Sequence, residues 1–286
     1  MDAAAKEKDY DMDLGLYEGI PEKAYHSSPG ISKHGLDLIN KSPAHYKQFV
    51  IEESAPLIFG AAFHCLILEP DLFPDKYLLS PYSDFRTKEA RQWKAQLADG
   101  VRVISKADYD LMHRMAEAIK AHPYASILLD HSQGKAEMSG YWVDSKKEIW
   151  RGEKPTYRLC RCRVDFLNQA HDIAIDLKTA INAGYSAFAR DAVKYRYHVQ
   201  DAFYTDGLRQ CNQRVSTFVF IVIEKVPPFN IGVYELSKDD RQFGRELYQR
   251  DLLVYDKCMK EKQWPGYPDE VRVIELPPYS RYVDIS

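Results

Sequence analysis

An α/β fold built on a mixed central sheet flanked by helices is predicted by three features of the chain. Three strand-like runs follow one another at 137–143, 157–166 and 172–178. A long helical pattern at 185–210 then leads into TFVFIVIE at 217–224, an apolar run that reads as a buried central strand. Several helical patterns precede the first strand, adding N-terminal helices to this core.

Taken in order, residues 1–24 lack hydrophobic periodicity and carry Gly15, Gly19 and Pro21. They read as a flexible lead-in to a single domain over 25–286. A helix begins near Ser32, with Leu36, Ile39 and Tyr46 on its apolar side, and Pro43 must break or re-cap it. The segment after Pro56 runs through Leu57, Phe59, Phe63 and Leu66 to Pro70, apolar nearly all round, so it should be buried. Residues 84–100 and 105–122 have amphipathic helical spacing, and the second stops before Pro123. Residues 230–236 add a further strand and 238–260 a last amphipathic helix. No internal repeat is visible.

Composition excludes several classes. In 286 residues, 45% are hydrophobic and 28% charged, enough apolar surface to exclude disorder as the main state. No segment approaches the roughly 18 apolar residues that span a bilayer, and the polar, acidic start is not a secretory signal. Five cysteines make a disulfide scaffold a poor reading and a reducing cytoplasm the expected location. A net charge of −3 excludes binding of nucleic acid by bulk positive charge, but not a local basic groove. The 20 Tyr and 12 Phe fit a Tyr-rich core and rim, or a nucleic-acid channel.

The chemistry sits on the strands. In DIAIDLK (172–178), Ile173, Ile175 and Leu177 face one way, and Asp176 and Lys178 the other with Ala174. A lone D-x-K is usually a solvated ion pair. The preceding strand, YRLCRCRVDF (157–166), puts Cys160, Cys162, Val164 and Phe166 on one face and Arg161, Arg163 and Asp165 on the other. Asp165 and Asp176 on hairpin neighbours would repel unless a cation lay between them, and hard oxygen donors suit Mg²⁺. Glu137 offers a third carboxylate, although a surface acid is the plainer reading. His64, in GAAFHCLILE (60–69), is either a core histidine or an imidazole that completes the metal shell. Gln200 and Tyr204, four apart, share a helix face, with Arg196 a turn earlier. Arg151, Lys154, Arg158, Arg161 and Arg163 form the densest basic stretch, with Arg190, Lys194 and Arg196 a second. Arg161, Arg163 and Arg196 are the candidate DNA contacts.

G-x-x-x-H (60–64), E (137), R-x-D (163–165), D-x-K (176–178) and Q-x-x-x-Y (200–204) occur in this order. With YHSSPGISKHGLDLI (25–39), LCRCRVD (159–165), YRYHVQDAFYTDG (195–207) and EKQWPGY (261–267), the chain resembles the RecB-like branch of the PD-(D/E)XK nuclease superfamily. Within it, the closer resemblance is to RecE-type (exonuclease VIII) nuclease domains, from about residue 25 nearly to the C-terminus. The resemblance implies a restriction-endonuclease-like core. It also implies Mg²⁺-dependent, ATP-independent 5′→3′ degradation of linear double-stranded DNA, leaving 3′ overhangs. One or two Mg²⁺ per site, replaceable by Mn²⁺, would be held by His64, Asp165, Asp176 and the Leu177 carbonyl. Lys178 would be the catalytic lysine, Glu137 a supporting acid, and Gln200 and Tyr204 the helix motif lining the site. Double-stranded DNA ends, a RecT-type annealing protein and a homotetrameric ring are the implied partners, with no membrane. The 145–156 hairpin departs from the pattern, being longer and more basic.

Other classes fit less well. There is no C-x-x-C and no G-x-x-x-x-G-K-[ST], which argues against a zinc or iron–sulfur protein and against a motor. A structure-specific endonuclease, or a non-enzymatic DNA-end-binding protein on the same fold, stays open. A Lys178 pKa depressed by desolvated walls would allow a general-base role.

Overall fold

The sheet is organised by a long hairpin whose second strand hands over to a parallel pair. The computed structural model describes residues 13–50, 54–98, 101–146 and 156–275. In chain order these form β1 (Gly15–Tyr17), α1 (Glu22–Ser27), α2 (Lys33–Lys41), α3 (Pro43–Gln48), α4 (Ala55–Leu68), α5 (Phe73–Lys76), β2 (Leu78–Leu79) and α6 (Lys88–Ala95). There follow β3 (Val103–Ile104), α7 (Lys106–Ala121), α8 (Ala125–Leu128), β4 (Gly134–Lys146), β5 (Thr156–Asn168), β6 (Ile173–Ala180), α9 (Tyr185–Lys194), α10 (Tyr197–Gln210), β7 (Thr217–Glu224), β8 (Ile231–Glu235) and α11 (Lys238–Glu261).

The main sheet runs β1-β4-β5-β6-β7-β8, antiparallel throughout except for the parallel β6–β7 pair. That is the mixed sheet expected from the sequence. Helices cover both faces. Met138, Trp142, Cys160, Cys162 and Val164 pack with residues of α2, α9, α10 and α11. Phe166, Ile175, Leu177, Ile221 and Ile223 pack with α4 and α7. Phe166, Phe218 and Phe220 are fully buried, each contributing about 1.5–3 kcal/mol by leaving water. The helix α11 presses on α10 at Gly244, where a Cβ would fall 2.0 Å from the His198 carbonyl oxygen, so only glycine fits.

Start signals place several helices. Ser32 caps α2 by accepting from Gly35 N, Ser42 caps α3 ahead of Pro43, and Ser105 caps α7. Among the described residues no helix is long and apolar enough to cross a membrane.

Four expectations need correction. Residues 13–24 are not a structureless lead-in, because Gly15–Tyr17 pairs with β4 as an edge strand and Glu22 opens α1. The helix expected over 185–210 is two, broken where Arg196 takes left-handed backbone angles (φ 56°). Tertiary contacts hold that break. Lys33 Nζ donates to the Tyr195 carbonyl (2.7 Å), and the Arg196 guanidinium pairs with Asp37 and Asp251. The segment after Pro56 is not wholly buried, since Leu57 is exposed. Finally, Phe166 does not share a face with Cys160, Cys162 and Val164. It packs in the opposite layer, for a reason that lies in the site. The hairpin tip with Arg151 and Lys154 lies outside the described residues.

Candidate active site

Strand pairing fails at one point, and the acids gather there. The β5–β6 ladder pairs Asn168 with Ile173, Leu167 with Ala174 and Phe166 with Ile175, then stops. The next position would set Asp165 against Asp176. Instead the Asp165 carboxylate takes over the role of the ladder, its Oδ2 accepting from Leu177 N (2.8 Å). The partner β7 holds β6 along its whole length, so it is β5 that diverges.

The β4–β5 pairing is disturbed at the same level. Ala136 pairs with Phe166 and Met138 with Val164, but the ladder skips Glu137 and Asp165 between them. Glu137 adopts φ 51°, a left-handed conformation that costs a non-glycine residue about 1–3 kcal/mol. Both strands change facing across this point. Met138 and Val164 belong to one core layer, and Ala136 and Phe166 to the other. This is why the simple alternation misplaced Phe166.

The consequences are electrostatic. Asp165 is pushed up to about 6, first by burial and then by the charge of Asp176, with His64 and Lys178 opposing. Glu137 is pushed up to about 8, first by burial and then by Asp165. Asp176 is 2% exposed. The amide of Gln200, on α10, donates to its Oδ1. Its Oδ2 lies 2.6 Å from Lys178 Nζ in an ion pair and takes no other partner. Burial works to lower the Lys178 pKa, but Asp176, Asp165 and Tyr197 outweigh it, and the net shift is upward. The depressed lysine pKa entertained from the sequence is thus not found, because two carboxylates face the ammonium. Lys178 Nζ also lies 4.9 Å from the Tyr197 ring centroid.

His64 approaches from α4 on the other side, its Nδ1 3.5 Å from Asp165 Oδ2. It is not a core histidine held by backbone. A cavity of about 520 Å³ opens here, bordered by His64, Glu137, Arg163, Asp165 and Tyr204. Burial raises the Tyr204 hydroxyl well above its ordinary pKa. The structure therefore brings together His64, Glu137, Asp165, Asp176, Leu177, Lys178, Gln200 and Tyr204.

The basic residues divide. Arg163 borders the cavity, but its guanidinium donates to Ser139 Oγ (2.9 Å) and the Ile20 carbonyl (2.6 Å), lies 3.8 Å from Glu137 and stacks on Tyr25. Arg161 donates to Ser28 Oγ and the His26 carbonyl. Both thus fasten the segment after β1 against the site. Arg158 is buried between Asp144 and Asp256 and joins no basic surface. Arg196 is not brought to this cavity and lines a separate one. Sequence reasoning missed Tyr25, Glu69 and Lys76, which also line the site. Tyr25 lies within the YHSSPGISKHGLDLI stretch, but nothing in its spacing signalled a wall.

Among the described residues no three His, Cys, Asp or Glu side chains converge as a ready metal centre. The donor set nevertheless fits a hard divalent cation. Two mutually repelling carboxylates and an imidazole gather around Asp165.

Comparison with known proteins bears on the fold and the family. A solved structure from Eubacterium rectale, described as a candidate exonuclease, aligns with a TM-score of 0.50 and 12% identity, over 89% of this chain and 97% of its own. At that identity the likeness concerns the fold. The solved structure of SSO0001 aligns at a TM-score of only 0.31 with 14% identity, over 76% of this chain and 85% of its own, and carries no argument. Among curated proteins none matches. Residues 34–277 match the PDDEXK-like domain of unknown function DUF3799, a span that contains His64, Glu137, Asp165, Asp176, Lys178, Gln200 and Tyr204 but not Tyr25, and the chain belongs to that family.

Proposed function

We propose that this chain is a divalent-metal-dependent nuclease, and specifically an ATP-independent 5′→3′ exonuclease on linear double-stranded DNA that leaves 3′ overhangs. The observation that carries the nuclease reading is the parting of β5 from β6, which brings Asp165, Asp176 and Lys178 into one group with His64 opposite. Direction and duplex preference rest on the resemblance to RecE-type domains, as do a ring of four copies and an annealing partner.

His64, Asp165, Asp176 and the Leu177 carbonyl would hold Mg²⁺ or Mn²⁺, which when bound supplies positive charge to the phosphoryl oxygens and acidifies a water. The chain's own groups do the positioning. Gln200 fixes one oxygen of Asp176, and the Lys178 ammonium faces the other. In the metal-free site Asp176 and Asp165 favour the charged form of Lys178, and its ammonium is placed to offset the negative charge that develops as the phosphodiester is attacked. Tyr204 and Glu137 wall the cavity where the scissile phosphate would sit.

Digestion of duplexes labelled at either end, alongside covalently closed circles, tests this reading. Mg²⁺-dependent loss of label from 5′ ends with circles intact is expected. Nicking of circles would establish the endonuclease alternative. Absence of cleavage in both Mg²⁺ and Mn²⁺, with DNA ends still bound, would establish the non-enzymatic one.

A further inference from the structure

Between α9 and α10 the chain brings together two tyrosines that a continuous helix would keep apart. At 3.6 residues per turn, side chains two apart point about 200° from each other, so Tyr195 and Tyr197 would lie on opposite sides. The left-handed Arg196 turns the chain between them, and the two rings stack, with centroids 5.8 Å apart and planes 28° from parallel. A left-handed non-glycine residue is disfavoured by itself, and such residues gather where a ligand is held.

The inner end of this stack reaches the acid–lysine group. Tyr197 also stacks with Phe188 and Phe220, both buried, and Lys178 Nζ lies 4.9 Å from its ring centroid. The outer end is open. Tyr195 is 46% exposed, and its aromatic and cationic partners among the described residues are Tyr197 and the Lys194 ammonium, 4.9 Å from its centroid. Lys33, Lys178 and Arg196 each have an acid, namely Asp37, Asp176, and Asp37 with Asp251. Lys194 is exposed and forms no ion pair among the described residues. Asp191 stands one turn before Tyr195 on α9, and its charge reaches Tyr197. Charge here is close to balanced, so what the surface offers is chiefly a flat ring with one mobile ammonium beside it.

A nucleobase fits such a ring. Inside a duplex both faces of a base are covered by its neighbours, so only a base out of the stack can lie on Tyr195. We propose that Tyr195 is the stacking platform for an unpaired base of the strand being cut, within two nucleotides of the scissile phosphate, with the Lys194 ammonium taking a backbone phosphate of that strand. This rests on the nuclease reading, because it takes the Lys178 group as the place of cleavage. Every base has a flat face, so the contact carries no sequence preference. Tyr195 is fixed from below by Tyr197, and a base laid on it sets where the neighbouring phosphate meets Lys178.

Binding in chelator by three full-length chains, the wild type, Tyr195→Ala and Tyr195→Trp, tests it. The probe is a duplex with a short unpaired 5′ tail, made either of thymidines or of abasic residues that keep the phosphates. Tyr195→Ala should weaken binding of the thymidine tail roughly 5- to 150-fold and of the abasic tail less than about twofold, while Tyr195→Trp should hold both near the wild type. A merely structural role would lower both affinities alike. Equal loss on the two tails, no loss on either, or a Tyr195→Trp chain as weak as Tyr195→Ala overturns the proposal. Mg²⁺-dependent cleavage of the thymidine-tailed duplex by the wild type is scored separately. Cleavage without the base-dependent loss removes the platform and leaves the nuclease reading standing. The base-dependent loss in a chain whose wild type never cleaves removes the nuclease reading and leaves Tyr195 as a base-binding residue.

Discussion

Replacing Gln200 by leucine isolates what α10 does for the acid pair. Gln200 is 6% exposed and its amide donates to Asp176 Oδ1. Asp176 is more deeply buried still, and its other side-chain partner among the described residues is the Lys178 ammonium. Leucine keeps the bulk and the helical preference of glutamine but cannot donate. A hydrogen bond to a charged group contributes about 1.5–3 kcal/mol, and a buried carboxylate belongs in the upper half of that range. Gln200→Leu should therefore lower stability by about 2–3 kcal/mol in chelator, a fall in Tm of roughly 4–10 °C for a chain of this size. If the same bond holds Asp176 in its working position, cleavage should slow about 30- to 150-fold. A double-mutant cycle with Asp176→Ala supplies the control. With no carboxylate to abandon, Gln200→Leu should then cost less than about 0.5 kcal/mol in urea unfolding. An equal cost in both backgrounds, or a Gln200→Leu protein as stable and as active as the wild type, would refute the reasoning.

Asp176→Ala or Lys178→Ala should reduce cleavage by several orders of magnitude, yet leave affinity for duplex DNA in chelator within about threefold; retained cleavage by either purified variant would contradict the assignment. Glu137→Gly should raise the unfolding free energy by about 1 kcal/mol, with a higher urea midpoint, because glycine accepts φ 51° without strain, while activity falls. A lower midpoint would show that Glu137 is not strained. The Asp201 carboxyl is pushed up to about 6, chiefly by burial, with Arg241 opposing. An acid whose folded pKa lies above its unfolded value near 3.8 contributes stability that is full below that value and lost as pH rises through about 6. The wild-type stability curve minus that of Asp201→Asn should therefore fall by on the order of 2 kcal/mol between pH 4 and 6, and a flat difference would exclude that titration.

Legibility of the fold followed the range of the interactions. The bounds of β7 read directly from TFVFIVIE, because a short apolar run rich in β-branched and aromatic residues has few other uses. The start of α7 was equally plain from Ser105 and its end from Pro123. By contrast, a three-residue edge strand such as β1 is too short for any period to show. The break between α9 and α10 left no local trace either, since neither glycine nor proline lies near Arg196. It is imposed by Lys33, Asp37 and Asp251, which lie far off in sequence.

At the site the residue types were legible and the strand facing was not. Alternation along β6 correctly put Asp176 and Lys178 together, because that strand is paired regularly with β7. Along β5 the same rule held as far as Val164 and failed at Phe166, one residue past Asp165. The failure is informative. A left-handed glutamate, a skipped strand pair and two buried like charges are separate departures from what stabilises a fold, and all three meet at Glu137 and Asp165, which line one cavity. Independent defects would be scattered. Gathered within one turn of sheet, with a lysine and a histidine on either side, they favour a place where missing positive charge is supplied from outside, which is the physical content of a metal-dependent site.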